Sequence, residues 1–283
     1  MTSKELIRRF VTFVRPTLLK FIPQVDLYGY SPYRGFADSY LLPLNSTDFD
    51  GICSQGLPVP PEWLRFGYRT SEAYLQTGKT DIDAMLNICP LEEAQRILDF
   101  GCGSGRMIRW LKEYAADREI WGTDIIADYL LWCQQHLSPP FHFVLATMLP
   151  HLPFEDRYFD LIYAGSVFTH LDDLTSAWLL ELRRVLSENG RLYITLHDEN
   201  SINLLANEYQ DHASARAFNA EKEYRAYSQS DYGMFTLGRR TGSNVFYNMD
   251  YFRKMVEQLN LEVISITPGA YRYQTGVILK RLN

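Results

Sequence analysis

Residues 97–107, ILDFGCGSGRM, hold the glycine turn whose residue types and spacing carry the clearest chemical meaning in the chain. Gly101, Gly103 and Gly105 alternate directly after a short apolar run, and Asp99 stands two positions before the first glycine. Glycine allows a positive φ and lets a ligand approach the backbone closely. In an open α/β sheet the ligand crevice lies at the carboxyl ends of the strands. The turn is therefore placed to hold a nucleotide-like ligand.

The spacing of the glycines argues against a dinucleotide. The dinucleotide fingerprint is G-x-G-x-x-G, which would put its third glycine at position 106, where this chain has Arg106. The carboxylate of Asp99 would repel a pyrophosphate but suits a cationic ligand. Asp124 ends the next apolar run, where a carboxylate can accept hydrogen bonds from both hydroxyls of a ribose. An adenosine-like ribose with a positive, phosphate-free tail describes S-adenosylmethionine (SAM), which we predict as the cofactor.

Short apolar runs alternate with amphipathic stretches around this turn. Strands are predicted over residues 96–100, 119–124, 141–146, 159–165, 191–197, 261–267 and 275–280. Helices are predicted over residues 106–116, 126–137, 172–187 and 249–259, with Asn189-Gly190 ending the third. This alternation indicates right-handed βαβ units, so we expect an α/β fold with a seven-stranded, mostly parallel sheet and helices on both faces. The last two strands join through Pro268-Gly269 without a helix and should pair antiparallel.

Over residues 62–281 the chain resembles the class I SAM-dependent methyltransferases, which have a Rossmann-like fold. Three features carry the resemblance: the D-x-G-x-G-x-G pattern at 99–105, the acidic Asp124, and the run LPFEDRYFDLIYAGSVFTHL at 152–171. The last run is also similar to bacterial methyltransferases that are encoded with glycan-assembly enzymes. The resemblance implies an enzyme that transfers a methyl group from SAM.

The resemblance also assigns cofactor-binding positions. They are Asp99, Gly101, Cys102, Gly103, Gly105, Asp124, Ile125, Ala146, Thr147 and Gly165. It implies that Asp99 orients the methionine end, that Asp124 binds the ribose and that Ile125 lies against the adenine. One position departs from the family, because strand three generally ends in Asp or Asn and here ends in Ala146. Either Thr147 or a backbone amide substitutes, or cofactor binding is weaker.

Two histidines are the candidate catalytic residues. Methyl transfer to a hydroxyl requires a base that removes the proton, with a pKa near 7. Histidine is the natural choice. His170 follows the fourth predicted strand and His197 ends the fifth, so both should point toward the crevice. For His170 a plain helix-entry position is the alternative.

The acceptor should lie under the variable stretches, residues 23–61 and 198–248. The second stretch holds Tyr209, Tyr224, Arg225, Tyr227, Tyr232, Phe235, Arg239, Arg240, Phe246 and Tyr247. Such aromatic faces suit sugar rings or flat metabolites, but they also suit packing of this insertion onto the core. We expect a small-molecule or sugar acceptor, methylated at a hydroxyl oxygen. An N- or C-methyltransferase of a small molecule or lipid stays open, as does a non-catalytic binding subunit with this fold, which Ala146 would favour.

Net charge and missing motifs argue against a nucleic-acid substrate and a metal. The 283 residues carry a formal charge of −6, which does not favour binding to a phosphate backbone. Methyltransferases of nucleic-acid amines generally have an Asn/Asp-Pro-Pro-aromatic motif after the fourth strand. At that place, residues 164–170 of this chain read AGSVFTH. We therefore expect no nucleic acid. No cluster of carboxylates or histidines suggests a metal. The four cysteines are scattered, so we expect reduced thiols and a cytoplasmic protein.

The first 22 residues form a predicted amphipathic helix interrupted at Pro16. Such a helix either lies on an anionic membrane as a peripheral contact or packs on the protein. We expect residues 1–61 to form this helix and an irregular cap segment. Residues 62–283 should form the methyltransferase domain, with the insertion 198–248 as an acceptor-side lid. The sequence leaves the oligomeric state open.

Overall fold

The computed structural model describes residues 51–220, 232–237 and 243–282. The predicted helix over residues 1–22 and most of the predicted cap segment lie outside the described residues. So do five residues of the aromatic and basic set in the insertion, Tyr224, Arg225, Tyr227, Arg239 and Arg240. Among the described helices, none combines the length and the apolarity needed to cross a membrane.

Eleven strands and six α-helices are present in the described residues, together with three short 3₁₀ helices. The strands are β1 (Cys53–Ser54), β2 (Leu57–Pro58), β3 (Arg96–Phe100), β4 (Glu119–Asp124), β5 (His142–Leu145), β6 (Phe159–Ala164), β7 (Leu186–Leu196), β8 (Met234–Leu237), β9 (Asn244–Tyr247), β10 (Leu261–Tyr271) and β11 (Gln274–Arg281). The helices are α1 (Ser71–Ile88), α2 (Ala127–His136), α3 (Thr175–Val185), α4 (Glu199–Asn207), α5 (Ala213–Ala220) and α6 (Met249–Gln258).

Seven strands form the central sheet in the order β10-β11-β7-β6-β3-β4-β5. Strands β3 to β7 are parallel, and β11 is antiparallel to both β7 and β10. The predicted fold class is confirmed. The strand order reverses beside β3, because β4 lies on one side of it and β6 on the other. That reversal is where an α/β sheet opens a crevice for a ligand.

Alternate residues of the strands build two cores, one on each face. Ile97 and Leu161 belong to the core covered by α1 and α2. Leu98 and Ile162 belong to the core covered by α3 and α6. Because side chains of a strand alternate between faces, a strand buried on both sides reads as a continuous apolar run. This explains why the runs in the sequence predicted the sheet correctly.

Three predicted boundaries are wrong. Residues 106–116 form two short 3₁₀ helices, Ile108–Leu111 and Tyr114–Ala116, instead of one α-helix. Asn189-Gly190 lies inside β7, at a register irregularity opposite β6, so α3 ends earlier, at Val185. Pro268-Gly269 lies inside β10 at a second irregularity, and the chain turns after Tyr271. In both strands the turn-forming residues mark a bulge rather than the end of the element.

The insertion after β7 packs beside the carboxyl ends of the central strands. The carboxylate of Asp198 accepts a hydrogen bond from the Ser201 amide at 2.9 Å, which caps α4. The Tyr247 amide on β9 donates to the His197 carbonyl at 2.8 Å. Phe246 also belongs to a third apolar core, which the insertion shares with Tyr273. Its function as an acceptor-side lid stays a prediction.

Candidate functional site

The glycine turn is fixed to the end of β4 by its backbone. The amides of Gly101 and Cys102 donate to the Thr123 carbonyl at 2.8 and 3.0 Å. The φ angles of Gly101, Gly103 and Gly105 are +82°, +54° and +82°. Residues that carry a Cβ rarely adopt such positive φ angles. The backbone conformation of the turn therefore explains why glycine occupies all three positions.

Only one of the three glycines leaves open space beside its backbone. A Cβ on Gly101 would lie 2.4 Å from the Val167 side chain, and one on Gly105 would lie 2.3 Å from Leu137. A Cβ on Gly103 would meet no atom of the described residues within 4 Å. Gly103 is therefore the glycine that a ligand can approach, whereas the other two permit close packing of the turn. Ligand contact at Gly101 and Gly105 stays a prediction.

Asp124 connects the end of β4 to this open glycine. One carboxylate oxygen accepts from the Gly103 amide at 2.8 Å, and the other accepts from the Ile126 amide at 2.9 Å. Burial raises the pKa of Asp124, while these backbone hydrogen bonds oppose the shift. Each oxygen keeps a lone pair that can accept from a hydroxyl. The predicted ribose role thus agrees with the geometry and stays a prediction.

Asp99 presents a buried carboxyl behind the turn. Its side chain is 3% exposed, and its Oδ2 atom has no hydrogen-bond partner among the described residues. Burial is the main cause that raises the pKa of Asp99 to about 7, with nearby Tyr163 and Arg106 opposing it. A buried acceptor without a donor is costly. A carboxyl oxygen without a partner in the described residues, on the strand that leads into the glycine turn, suits a ligand that carries an ammonium group.

Arg106 anchors the turn to two distant elements. Its guanidinium pairs with Asp81 of α1 at 2.5 Å and donates to the Tyr271 hydroxyl on β10. Arg272 also pairs with Asp81, at 2.6 Å. Asp81 is 1% exposed, and no local pattern in the sequence pointed to it. Arg106, whose position argued against a dinucleotide fingerprint, therefore fixes the glycine turn to α1 and β10.

The residues predicted around the adenine lie at the ends of β4 and β5. The Ala146 amide donates to the Asp124 carbonyl at 2.9 Å, and its side chain is buried. The Thr147 hydroxyl accepts from the Leu149 amide at 3.2 Å within its own turn. Ile125 is half-buried against the core under α3 and α6. The Ala146 amide and the Thr147 hydroxyl thus already have protein partners.

Gly165 permits the β10–β11 hairpin to close over the end of β6. A Cβ there would lie 3.0 Å from the Met107 sulfur and 3.1 Å from the Tyr271 ring. The glycine therefore has a packing reason in addition to its predicted place in the cofactor site.

His170 is oriented by the insertion. Its Nδ1 atom lies 2.6 Å from the Ser243 carbonyl oxygen, and the Ser243 hydroxyl donates to the His170 carbonyl at 2.9 Å. A carbonyl oxygen only accepts, so Nδ1 carries the proton and Nε2 carries the lone pair. Burial lowers the pKa of His170, which keeps the ring neutral at neutral pH. This geometry is suitable for a general base.

His197 is covered instead of facing an open crevice as expected. It is 1% exposed and stacks between Phe246 and Tyr273, at centroid distances of 4.8 and 5.4 Å. Neither ring nitrogen has a hydrogen-bond partner in the described part of the chain. Burial lowers the pKa of His197 to about 3. A catalytic role for it stays a prediction that would require the covering rings to move.

A polar network that sequence reasoning missed holds the turn after β6. The Ser166 backbone amide donates to the Thr195 hydroxyl at 2.7 Å, and that hydroxyl donates to the side-chain oxygen Oε1 of Gln274 at 2.6 Å. The Gln274 amide group donates back to the Ser166 hydroxyl at 2.9 Å. The three residues come from distant parts of the sequence, so no local signal could have found them.

Several aromatic residues of the insertion pack on one another. Phe235 and Phe246 stack with centroids 5.0 Å apart and rings 8° from parallel. Tyr209 and His212 lie against Tyr273, at 5.6 and 4.8 Å. For these residues the structure favours the packing interpretation over direct stacking on a sugar.

No group of His, Cys, Asp and Glu within the described ranges could hold a metal ion.

Comparison with known proteins agrees with this geometry. Residues 98–194, which are 97 of the 283, match the family described as "Methyltransferase domain". A demethylmenaquinone methyltransferase of Thermotoga maritima is 33% identical over 116 residues, which cover 41% of this chain and 48% of that protein. A malonyl-[acyl-carrier protein] O-methyltransferase of Pectobacterium atrosepticum is 24% identical, over 49% of this chain and 53% of its own length. The chain thus spans about half the length of these curated relatives.

A solved structure has the same fold. It is the 1,6-didemethyltoxoflavin-N1-methyltransferase of Burkholderia thailandensis, crystallised with S-adenosylhomocysteine. It is 13% identical, with a TM-score of 0.50 over 76% of this chain and 82% of its own. The described residues have the class I methyltransferase fold, and residues 98–194 are the part that matches the methyltransferase-domain family. The S-adenosylhomocysteine bound to that enzyme is the demethylated form of the cofactor that the glycine turn predicts here.

Proposed function

We propose that the protein transfers a methyl group from SAM to a hydroxyl oxygen of a small-molecule or glycan-type acceptor. One arrangement carries this proposal: the open backbone of Gly103, whose amide is held by Asp124. The unpaired buried oxygen of Asp99 lies just before the same turn. The match of residues 98–194 to a methyltransferase domain supports it.

The residues of this site fit the cofactor. Asp99 would accept from its ammonium group, the backbone at Gly103 would line it, and Asp124 would accept from its ribose hydroxyls. Ile125 would contact the adenine. When bound, SAM supplies a methyl carbon that its sulfonium already activates, so the protein must chiefly align the acceptor and exclude water.

His170 is the better of the two candidate bases. Its Nδ1 proton is committed to the Ser243 carbonyl, which leaves the Nε2 lone pair to accept a proton from an acceptor hydroxyl. A ring oriented in this way need not reorganise when the proton moves. His197 has no such partner among the residues that the structure describes, and it lies between two aromatic rings. We therefore assign the proton transfer to His170.

The similar proteins leave the acceptor atom open, since one is named an O-methyltransferase and another an N1-methyltransferase. The oxygen assignment relies on the orientation of His170. The glycan-type acceptor relies on the resemblance of residues 152–171 to bacterial methyltransferases that are encoded with glycan-assembly enzymes. An amine acceptor would need no base, so unchanged turnover in His170→Ala would favour nitrogen.

The test is methyl transfer by the full chain with a panel of sugars and small metabolites. Formation of S-adenosylhomocysteine and a gain of about 14 Da in one acceptor are the expected results. Gly103→Ala should abolish both, because its methyl group enters the space that the cofactor needs. Gly51→Ala is the matched control. Gly51 also has a positive φ, +72°, and a Cβ added to it would meet no atom of the described residues within 4 Å. Absence of SAM or S-adenosylhomocysteine binding to the wild-type chain would overturn the proposal.

A further inference from the structure

Three polar side chains stand in a row across the central sheet. Asp99 on β3 is in register with Tyr163 on β6, and Tyr163 is in register with Tyr193 on β7. Register partners on adjacent strands share one face of the sheet. All three side chains are buried. The Asp99 Oδ2 atom and both tyrosine hydroxyls have no hydrogen-bond partner among the described residues.

Of the two tyrosines, Tyr163 is the one whose hydroxyl influences the ionisation of the Asp99 carboxyl. It lies near enough to lower the pKa of Asp99 and to have its own pKa raised by that carboxyl. By geometry neither the Tyr163 hydroxyl nor Oδ2 has a hydrogen-bond partner among the described residues, so the hydroxyl acts on the carboxyl as a neighbouring donor in register with it and Oδ2 keeps its acceptor capacity. Tyr193 stands one strand farther from Asp99 than Tyr163 does. The two tyrosines are therefore alike in burial and different in their relation to the carboxyl.

Among the described residues, no cationic side chain forms an ion pair with Asp99. The guanidinium of Arg106 is the nearby positive charge, and it pairs with Asp81 at 2.5 Å. Asp124 on β4 faces Asp99 from the next strand and repels a second negative charge. The other groups that face it are the backbone amide of Ile108, which favours the charged form, and the buried thiol of Cys102.

We propose that Tyr163 is a positioning residue that holds the Asp99 carboxyl for the ammonium group of the cofactor, and that this carboxyl loses its proton when the cofactor binds. The proposal rests on the proposed function, since it concerns the same site. One proton leaves the Asp99 carboxyl for the solvent, and the resulting carboxylate pairs with the ammonium group. No other bond forms or breaks.

The pH dependence follows from the protonation state of the free protein. The pKa of Asp99, raised to about 7 by burial, means that the carboxyl is mostly protonated at pH 6 and mostly charged at pH 8.5. Below that pKa the cofactor must expel the proton, so its affinity should fall about tenfold per pH unit. Above it, this carboxyl causes no further change.

Titration calorimetry of the full chain with S-adenosylhomocysteine tests this directly. Repeating it in buffers of different ionisation enthalpy counts the protons released. We expect close to one proton per ligand at pH 6 and close to none at pH 8.5. Asp99→Asn should abolish the release that wild type shows. 5′-Methylthioadenosine, which lacks the amino-acid end, should bind without it.

Tyr163→Phe separates positioning from simple packing. Without the hydroxyl, the charged carboxyl loses its neighbouring donor, so the midpoint of the pH dependence should move upward by at least about half a unit. Tyr193→Phe is the matched control and should leave the midpoint where wild type has it.

The outcomes separate this inference from the proposed function. No binding of S-adenosylhomocysteine at any pH would contradict the proposed function itself. Binding without proton release, or release that persists in Asp99→Asn or with 5′-methylthioadenosine, would overturn only the present inference. An equal shift in Tyr163→Phe and Tyr193→Phe would remove the role of Tyr163. If Tyr163→Phe does not fold, the Asp99→Asn and methylthioadenosine results still decide the proton release.

Discussion

At the scale of single residues, the site combines groups that are unfavourable for the free protein. The carboxyl of Asp99 is buried without an ion-pair partner in the part of the chain that the structure describes, and burial accounts for its raised pKa. Its pKa in the folded chain, about 7, lies above the unfolded value of about 3.9. The folded state therefore loses stability as pH rises from the unfolded pKa to the folded one. Ligand binding and stability of the free protein place opposite demands on this residue.

Asp99→Asn should make the free protein more stable at high pH. Asn keeps the shape of the side chain and cannot ionise, so wild type should lose about 1 kcal/mol relative to the variant between pH 6 and pH 8.5. Urea denaturation at the two pH values measures the difference. An equal effect of pH on both proteins would show that Asp99 does not ionise in this range. The variant should at the same time bind S-adenosylhomocysteine more weakly.

His170→Ala should lower kcat for a hydroxyl acceptor by about 100-fold or more, the usual contribution of a general base. Cofactor affinity should change little. In wild type the rate should fall on acidification as His170 gains a proton, and because burial lowers its pKa this limb should lie below pH about 6.5. Rate profiles over pH 5–8 check this. The exposed His151 provides the control, as His151→Ala should leave both rate and profile unchanged.

At the scale of elements, an ion cluster joins parts that the sheet does not. Asp81 on α1 faces Arg106 at the glycine turn and Arg272 at the β10–β11 turn. Gly78 on α1 allows contact with the turn, since a Cβ there would lie 2.3 Å from the Arg106 carbonyl oxygen. The position of the turn thus depends on the helix before it and on the hairpin after it.

Asp81→Asn should destabilise the protein by about 3–5 kcal/mol, because two largely buried guanidinium groups lose their shared counter-charge. Chemical denaturation measures this. Asp83→Asn is the control on the same helix. Asp83 pairs with Lys79 at the surface, where both side chains are more than 40% exposed, so its loss should be far smaller. Similar losses in the two variants would contradict a special role for the cluster.

The elements themselves were largely predictable, and their ends were less so. Apolar runs gave every strand of the central sheet, and they are clearest for inner strands such as β3 and β6, because strands buried on both faces contain few polar residues. Asn189-Gly190 and Pro268-Gly269 misled the prediction, since turn-forming residues also occur at bulges inside strands. The 3₁₀ form of residues 108–116 was also not predicted, because 3₁₀ and α-helices have similar residue patterns.

At the scale of the whole molecule, the local parts of the site were predictable and the long-range ones were not. The pattern around Asp99, Gly103 and Asp124 lies within 26 residues, and its spacing indicated the ligand. The pairing of Asp81 with Arg272 spans 191 positions and carries no periodic signal. The covering of His197 was likewise not foreseen, because it depends on how the insertion folds back over β7.

Cofactor binding should raise the stability of the whole chain by mass action. At a ligand concentration of about 100 times Kd, the gain is about 2.7 kcal/mol for one site. Wild type and Gly51→Ala should therefore show a higher Tm with S-adenosylhomocysteine, as measured by scanning calorimetry. Gly103→Ala should show no increase. A Tm increase of the same size in Gly103→Ala would mean that the ligand binds elsewhere.

The β10–β11 turn has a consequence for the order in which the protein is made. Tyr271 contacts Arg106, Tyr273 stacks on His197, and Gln274 bonds with Ser166 and Thr195. These residues come after every other part of the site in chain order. A growing polypeptide can thus form β3 to β7 on the ribosome, yet it should acquire cofactor affinity only once residues 271–274 have left the exit tunnel.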